Sequence, residues 1–92
     1  MKYKLLISEN AKAFFYSLEE KVQKRIKIAF SKLKENPYQK RSGVDIKKLE
    51  GSFNPKLFRL RIGDYRLVYS IVEKEIRITN IIHRNKGYKW LK

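Results

Sequence analysis

Arg59, Arg61 and Arg66 stand close together in a stretch otherwise rich in Leu, Ile, Tyr and Phe, and Arg84 follows His83 a little further on. Guanidinium forks match phosphate oxygens and stay charged at any cellular pH, so arginines gathered on one surface make a phosphate-recognition site. Lys47, Lys48 and Lys56 lie upstream, and Tyr88 lies near the end of the chain. Cleaving RNA without a metal needs a group to take the ribose 2′-hydroxyl proton, charge to stabilise a phosphorane-like transition state, and a proton donor for the departing 5′-oxygen. Arginines suit the second role directly. For proton transfer the candidates are His83, Tyr88, Lys48 and Lys56, and positive neighbours would lower the pKa of each and favour base behaviour. Arginines that merely keep an exposed sheet face soluble would leave the same trace in sequence.

Other chemistries find little support. The 92 residues include no cysteine and one histidine, which excludes a disulfide scaffold, a thiol nucleophile, and a thiolate or histidine metal centre. No glycine-rich phosphate loop, Ser/His/Asp set or paired carboxylates point elsewhere, so no metal or cofactor is expected. With 23 Lys+Arg against 9 Asp+Glu the net charge is +14, spread over both halves of the chain, and it attracts polyanions at long range: RNA, DNA, an anionic membrane or an acidic partner protein. A hydrophobic fraction of 42% is too high for a disordered basic tail, and the length suits one domain over residues 1–92. The absence of cysteine, of a long apolar run and of a signal-peptide core in Met1–Lys12 leads to the expectation of a cytoplasmic protein without a membrane span.

The elements that must position these residues follow from pattern. Lys2–Ile7 reads as a strand, ended by Ser8, which can cap a helix, and Glu9, which suits its first turn. Ala11, Phe14, Phe15 and Leu18 form one helical stripe, and Val22, Ile26, Ala29, Phe30 and Leu33 form a second that stops at Asn36-Pro37. The S-x-x-E form of Ser17-Leu18-Glu19-Glu20 predicts a capping box at the break between two antiparallel helices. Pro37–Lys56, which carries Lys40, Arg41, Lys47, Lys48 and Lys56, shows no sustained period and reads as a loop of unusual length, either a solvated basic loop or a polyanion-contacting arm, unless it conceals an element. From Leu57 to His83 the composition changes to that of three antiparallel strands with turns at Gly63-Asp64 and Glu73-Lys74.

A two-residue turn at Gly63-Asp64 sets Ile62 opposite Tyr65, Arg61 opposite Arg66, Leu60 opposite Leu67, Arg59 opposite Val68 and Phe58 opposite Tyr69. Phe58, Leu60, Ile62, Tyr65, Leu67, Tyr69 and Ile71 then share a face that the helices can cover. Arg59, Arg61 and Arg66 share the other, and an unbroken register adds Arg77, Thr79 and His83 to it. That register also puts Asn80 on the core side, which suggests a bulge nearby. Arg61 facing Arg66 is destabilising unless an anion lies between or above them.

Three blocks together, Lys48-Leu49-Glu50-Gly51, Phe58-Arg59-Leu60-Arg61-Ile62-Gly63-Asp64-Tyr65-Arg66-Leu67-Val68-Tyr69, and Ile82-His83-Arg84 followed by Tyr88, resemble the RelE/ParE superfamily of toxin–antitoxin toxins over essentially the whole chain. The resemblance implies an α+β fold, β-α-α-β-β-β, with a helical hairpin packed on one face of an antiparallel sheet. For the RelE-like branch it implies a ribosome-dependent endoribonuclease that cuts mRNA in the ribosomal A site by metal-independent 2′-OH attack. Carried over by position, it implies that Arg66 and Arg84 stabilise the transition state, that Arg59 contacts the scissile phosphate or helps activate the attacking oxygen, and that Tyr88 stacks on or orients the nucleotide, with His83 as the other candidate base. Lys47, Lys48, Lys56 and Arg61 are then RNA-binding residues. The position two before Arg59, basic in well-known RelE toxins, is Leu57 here, with Lys56 beside it. The implied partners are an acidic RelB-like antitoxin, the ribosome with its rRNA and mRNA, and operator DNA only through the antitoxin complex. The ParE-like branch, toxins that inhibit DNA gyrase and cleave no RNA, is the alternative.

Overall fold

A computed structural model describes residues 3–51 and 54–85. In chain order the elements are β1 (Lys4–Ile7), α1 (Glu9–Tyr16), α2 (Glu20–Glu35), β2 (Asp45–Lys48), β3 (Leu57–Ile62), β4 (Tyr65–Val72) and β5 (Glu75–His83). They make a five-stranded sheet of order β1-β5-β4-β3-β2 with both helices on one face.

Ser8 caps α1 as its residue type predicts, its hydroxyl accepting from the Ala11 amide at 3.1 Å. The break between the helices falls where expected, but without the capping box. Ser17 instead ends α1, donating its hydroxyl to the Phe14 carbonyl at 2.6 Å, and Glu19 stands at the α2 N-cap with no side-chain bond. Asn36 ends α2, and its Oδ1 accepts from the amides of Tyr38 and Gln39, so the chain turns directly into buried Pro37.

The helices bury Ala11, Phe15, Ile26, Ala29, Phe30 and Leu33 against Leu60, Leu67, Tyr69, Ile76, Ile78 and Ile81 of the sheet. Each fully buried aliphatic chain of this kind contributes ~1.5–3 kcal/mol by leaving water. Tyr69 makes a long polar reach from this core: its hydroxyl donates to the Pro37 carbonyl at 2.8 Å, and its ring stacks on Phe58 with centroids 5.6 Å apart. Burial pushes its pKa far above the ordinary tyrosine value, against the opposing pull of Arg41 and Arg59.

Two features differ from the sequence expectation. The sheet is mixed, because β1 runs parallel to β5 at one edge, and it has a further strand, β2, antiparallel to β3 at the other edge. β2 lies inside the stretch read as a loop. Only Val44 and Ile46 alternate there, too short a period to register, and Asp45, Lys47 and Lys48 give it the charged character common on edge strands. Arg41, grouped by sequence with the solvated basic loop, is structural. Its guanidinium donates to the carbonyls of Lys32, Asn36 and Gln39 at 2.9, 3.1 and 2.6 Å, closing the C-terminus of α2, whose carbonyls carry partial negative charge.

Candidate functional site: an arginine cluster at the hairpin end of the sheet

The β3–β4 hairpin forms with the register its turn dictates: Ile62↔Tyr65, Arg61↔Arg66, Leu60↔Leu67, Arg59↔Val68 and Phe58↔Tyr69. Gly63 makes the turn feasible, at φ +54, and the Arg25 guanidinium of α2 lies so close that a Cβ there would meet its Nη2 at 3.0 Å. Arg59, Arg61 and Arg66 therefore share the face away from the helices, with Arg61 and Arg66 opposed across adjacent strands, roughly 5 Å apart at Cα.

Arg84 joins them from the end of β5. Its backbone amide donates to the Asp64 carbonyl at 2.7 Å, tying the segment after β5 to the hairpin turn, and its carbonyl accepts from Arg66 Nη1 at 3.3 Å. The Arg84 guanidinium stands 3.6 Å from Asp64 Oδ1, with its side chain 64% exposed. One end of the sheet thus gathers Arg61 of β3, Arg66 of β4 and Arg84 from the segment just after β5. A groove of about 290 Å³ between α2 and β3, lined by Arg25, Lys32 and Leu60 among others, opens on the opposite, helix-covered side of the sheet.

Arg59 is different. It is only 8% exposed, donating to the Asp45 carbonyl at 3.0 Å and standing 3.4 Å from Asp45 Oδ1. Asp45 lies directly opposite Arg61 on β2 and also approaches Arg61 Nε and Lys40 Nζ, both at 3.8 Å. The anion that the opposed Arg61 and Arg66 call for is thus supplied in part by the chain itself. Sequence reasoning missed Asp45 because its strand was missed. The Val44-Asp45-Ile46 alternation, with Val44 and Ile46 buried, is the signal that sends Asp45 to the arginine face.

The lysines divide. Lys47 pairs with Arg59 and so lies on the arginine face, whereas Lys48 pairs with Phe58 and lies on the helix side. Both are exposed, as is Lys56 just ahead of β3.

His83 does not join the arginine face, contrary to the unbroken register. The pairing of β4 with β5 shifts by one residue between Val68 and Tyr69, leaving Thr79 as the extra residue of a bulge. The shift turns Asn80 to the arginine face opposite Val68 and sets His83 opposite Tyr65, on the helix side. There the imidazole meets the Tyr65 ring edge-on, centroids 5.2 Å apart, with Phe14 beyond it, and its Nδ1 accepts from the Asn85 amide at 3.3 Å. Arg77 does lie on the arginine face, at the far end, held by Glu75 Oε1 at 2.9 Å. Tyr88 lies outside the described residues.

The whole is a small basic α+β domain, a strand and helical hairpin packed on a sheet closed by an arginine-bearing meander, and comparison with known proteins gives its family. The model of the family described as ParE toxin of type II toxin-antitoxin system, parDE, matches residues 5–88, and the chain belongs to that family. It is the toxin member of a toxin–antitoxin pair. The archaeal RelE–RelB complex from Pyrococcus horikoshii is similar at 30% identity, over 95% of this chain and 100% of that one, with a TM-score of 0.79. The RelBE2 toxin-antitoxin complex of Mycobacterium tuberculosis shares the fold at 23% identity, over 91% and 100% of the two chains, TM-score 0.72. So does the isolated Escherichia coli RelE toxin, at 22% identity over 97% and 92%, TM-score 0.73. Among curated protein sequences no match is found. Among the described residues no helix is long and apolar enough to cross a membrane.

Proposed function

We propose that the protein is a ribosome-dependent endoribonuclease that acts in the cytoplasm, cutting mRNA in the ribosomal A site, and that an acidic RelB-like antitoxin silences it. The observation that carries this reading is the convergence of Arg61 of β3, Arg66 of β4 and Arg84, just after β5, on one end of the sheet. Phosphate-directed donors held on strands are preorganised for a charge that develops in the transition state. The similar archaeal structure is a complex of RelE with RelB, which supports an antitoxin as partner.

In the reaction the ribose 2′-oxygen attacks the adjacent phosphorus as its proton passes to a base, and the P–O5′ bond breaks as the leaving oxygen takes up a proton. The products are a 2′,3′-cyclic phosphate and a 5′-hydroxyl. Arg66 and Arg84 stabilise the phosphorane-like charge, and Arg61 and Lys47 hold flanking phosphates. Arg59, already bound to Asp45, serves the cluster from beneath rather than as a free phosphate ligand. His83, on the helix side of the sheet opposite Tyr65, stands away from the arginine face and stays the runner-up for proton transfer. The outward-facing lysines of β2 suit rRNA contacts that weaken with salt.

The family model that matches is the one described for ParE, which favours inhibition of DNA gyrase as a second reading. Purified toxin added to ribosomes programmed with an mRNA and an empty A site tests the two. Fragments ending in 2′,3′-cyclic phosphate support the nuclease. Intact mRNA together with blocked supercoiling by gyrase supports the other reading.

A further inference from the structure

Asp45 is the one acidic side chain that reaches into the arginine row from β2, and it meets its cations unequally. Arg59 is buried and held twice, through the Asp45 carbonyl at 3.0 Å and its carboxylate at 3.4 Å. Arg61 and Lys40 are held only at 3.8 Å, with side chains 51% and 73% exposed. An ion pair at that distance and exposure is worth little and exchanges readily with another anion, whereas the buried arginine keeps its partner.

Taking the proposed nuclease reading as its basis, we infer that Asp45 is a positioning residue of this site, an internal carboxylate that fixes Arg59 and holds Arg61 ready to be handed to a substrate phosphate. With no nucleic acid bound, the carboxylate offsets the repulsion between Arg61 and Arg66, which the hairpin register forces into opposition. When a phosphodiester arrives, Arg61 exchanges carboxylate for phosphate, while Arg59 stays on Asp45 and keeps the end of β2 against β3. Asp45 therefore costs binding, because it is an anion beside an anion site, and gains turnover, because it keeps the arginines ordered.

The opposite signs of those two effects make the test. Asp45→Asn keeps the backbone acceptor for Arg59 and removes only the charge. Its affinity for a fluorescein-labelled single-stranded oligonucleotide with 2′-deoxy linkages, which cannot be cut, should rise about three- to tenfold at low salt. The slope of log affinity against log salt should steepen, by up to about 0.7, because in wild type the carboxylate that Arg61 leaves takes up a cation on binding and the variant has none to do so. On programmed ribosomes its kcat should fall about tenfold with KM unchanged or lower, and Asp45→Glu should recover part of the loss. A purely structural role would instead lower binding and turnover together, in proportion to the unfolded fraction, with the salt slope unchanged, and that result overturns the inference. So does a variant with unchanged affinity and slope. The binding arm needs no cleavage, so wild-type protein that binds the oligonucleotide but cuts no mRNA would refute the nuclease reading while the affinity and slope still decide the role of Asp45.

Discussion

Arg59 and Arg66 are near neighbours in sequence and share a face of the sheet, yet the structure predicts opposite outcomes when each is cut back to alanine. Arg59 is 8% exposed, and its guanidinium is satisfied by one carbonyl and one carboxylate of Asp45. Removing one member of a buried pair costs ~3–5 kcal/mol when the other is left bare. Here Asp45 is about a third exposed and keeps Arg61 and Lys40 near it, so the cost falls below that range, to about 2–3 kcal/mol. Arg66 is half-buried and gives up a 3.3 Å bond to the Arg84 carbonyl, but its removal also relieves the repulsion from Arg61 opposite. These contributions oppose each other, so Arg66→Ala should stay within about 1 kcal/mol of wild type and cost less than Arg59→Ala. Urea unfolding followed by circular dichroism at 222 nm separates these values. With a slope near 1 kcal/mol/M, Arg59→Ala should lower the midpoint by about 2–3 M and Arg66→Ala by less than about 1 M. An Arg59→Ala midpoint equal to wild type would refute the claim that Asp45 holds a buried arginine. A large loss in Arg66→Ala would refute the assignment of that side chain to the outer face.

Tyr69→Phe should cost about 1–2 kcal/mol in the same assay, because the Pro37 carbonyl loses its donor in a buried setting. The raised pKa of Tyr69 has its own pH signature. The folded state keeps a proton that the unfolded chain releases above about pH 10, so stability holds below that pH and declines above it. Tyr69→Phe should decline less over the same range, and parallel curves would contradict the assignment. Gly63→Ala forces a left-handed φ on a residue with a Cβ and pushes against Arg25, and should cost about 1–2 kcal/mol. A midpoint unchanged by that substitution would mean that the turn relaxes without penalty.

The parts legible in sequence were those set by local rules acting over several residues. The two helical stripes, the Ser8 cap and the Gly63-Asp64 hairpin each rest on a period or a turn type, and the hairpin register fixed which arginines oppose each other. β2 escaped because an edge strand of four residues carries one or two apolar positions, and its pairing with β3 is decided by tertiary contact. With β2 went Asp45, and with Asp45 the reason that Arg59 is buried. The bulge at Thr79 was signalled only by the awkward place of Asn80, and a shift of one residue moves every later side chain to the other face, which is how His83 left the arginines. Arg41 looked like any loop cation because the carbonyls it caps, Lys32 and Asn36, come near it only once α2 has formed and ended.

The activity proposed for the arginine end of the sheet is cleavage of mRNA on the ribosome. Its most direct test is primer extension on an mRNA in a translating extract, comparing wild-type protein, Arg66→Ala, and an extract stalled before the A site is exposed. New 5′ ends should appear in translated frames only, vanish with Arg66→Ala, and be absent from the stalled extract. Intact message under wild-type protein that still arrests growth, or cuts that persist with Arg66→Ala, would contradict it.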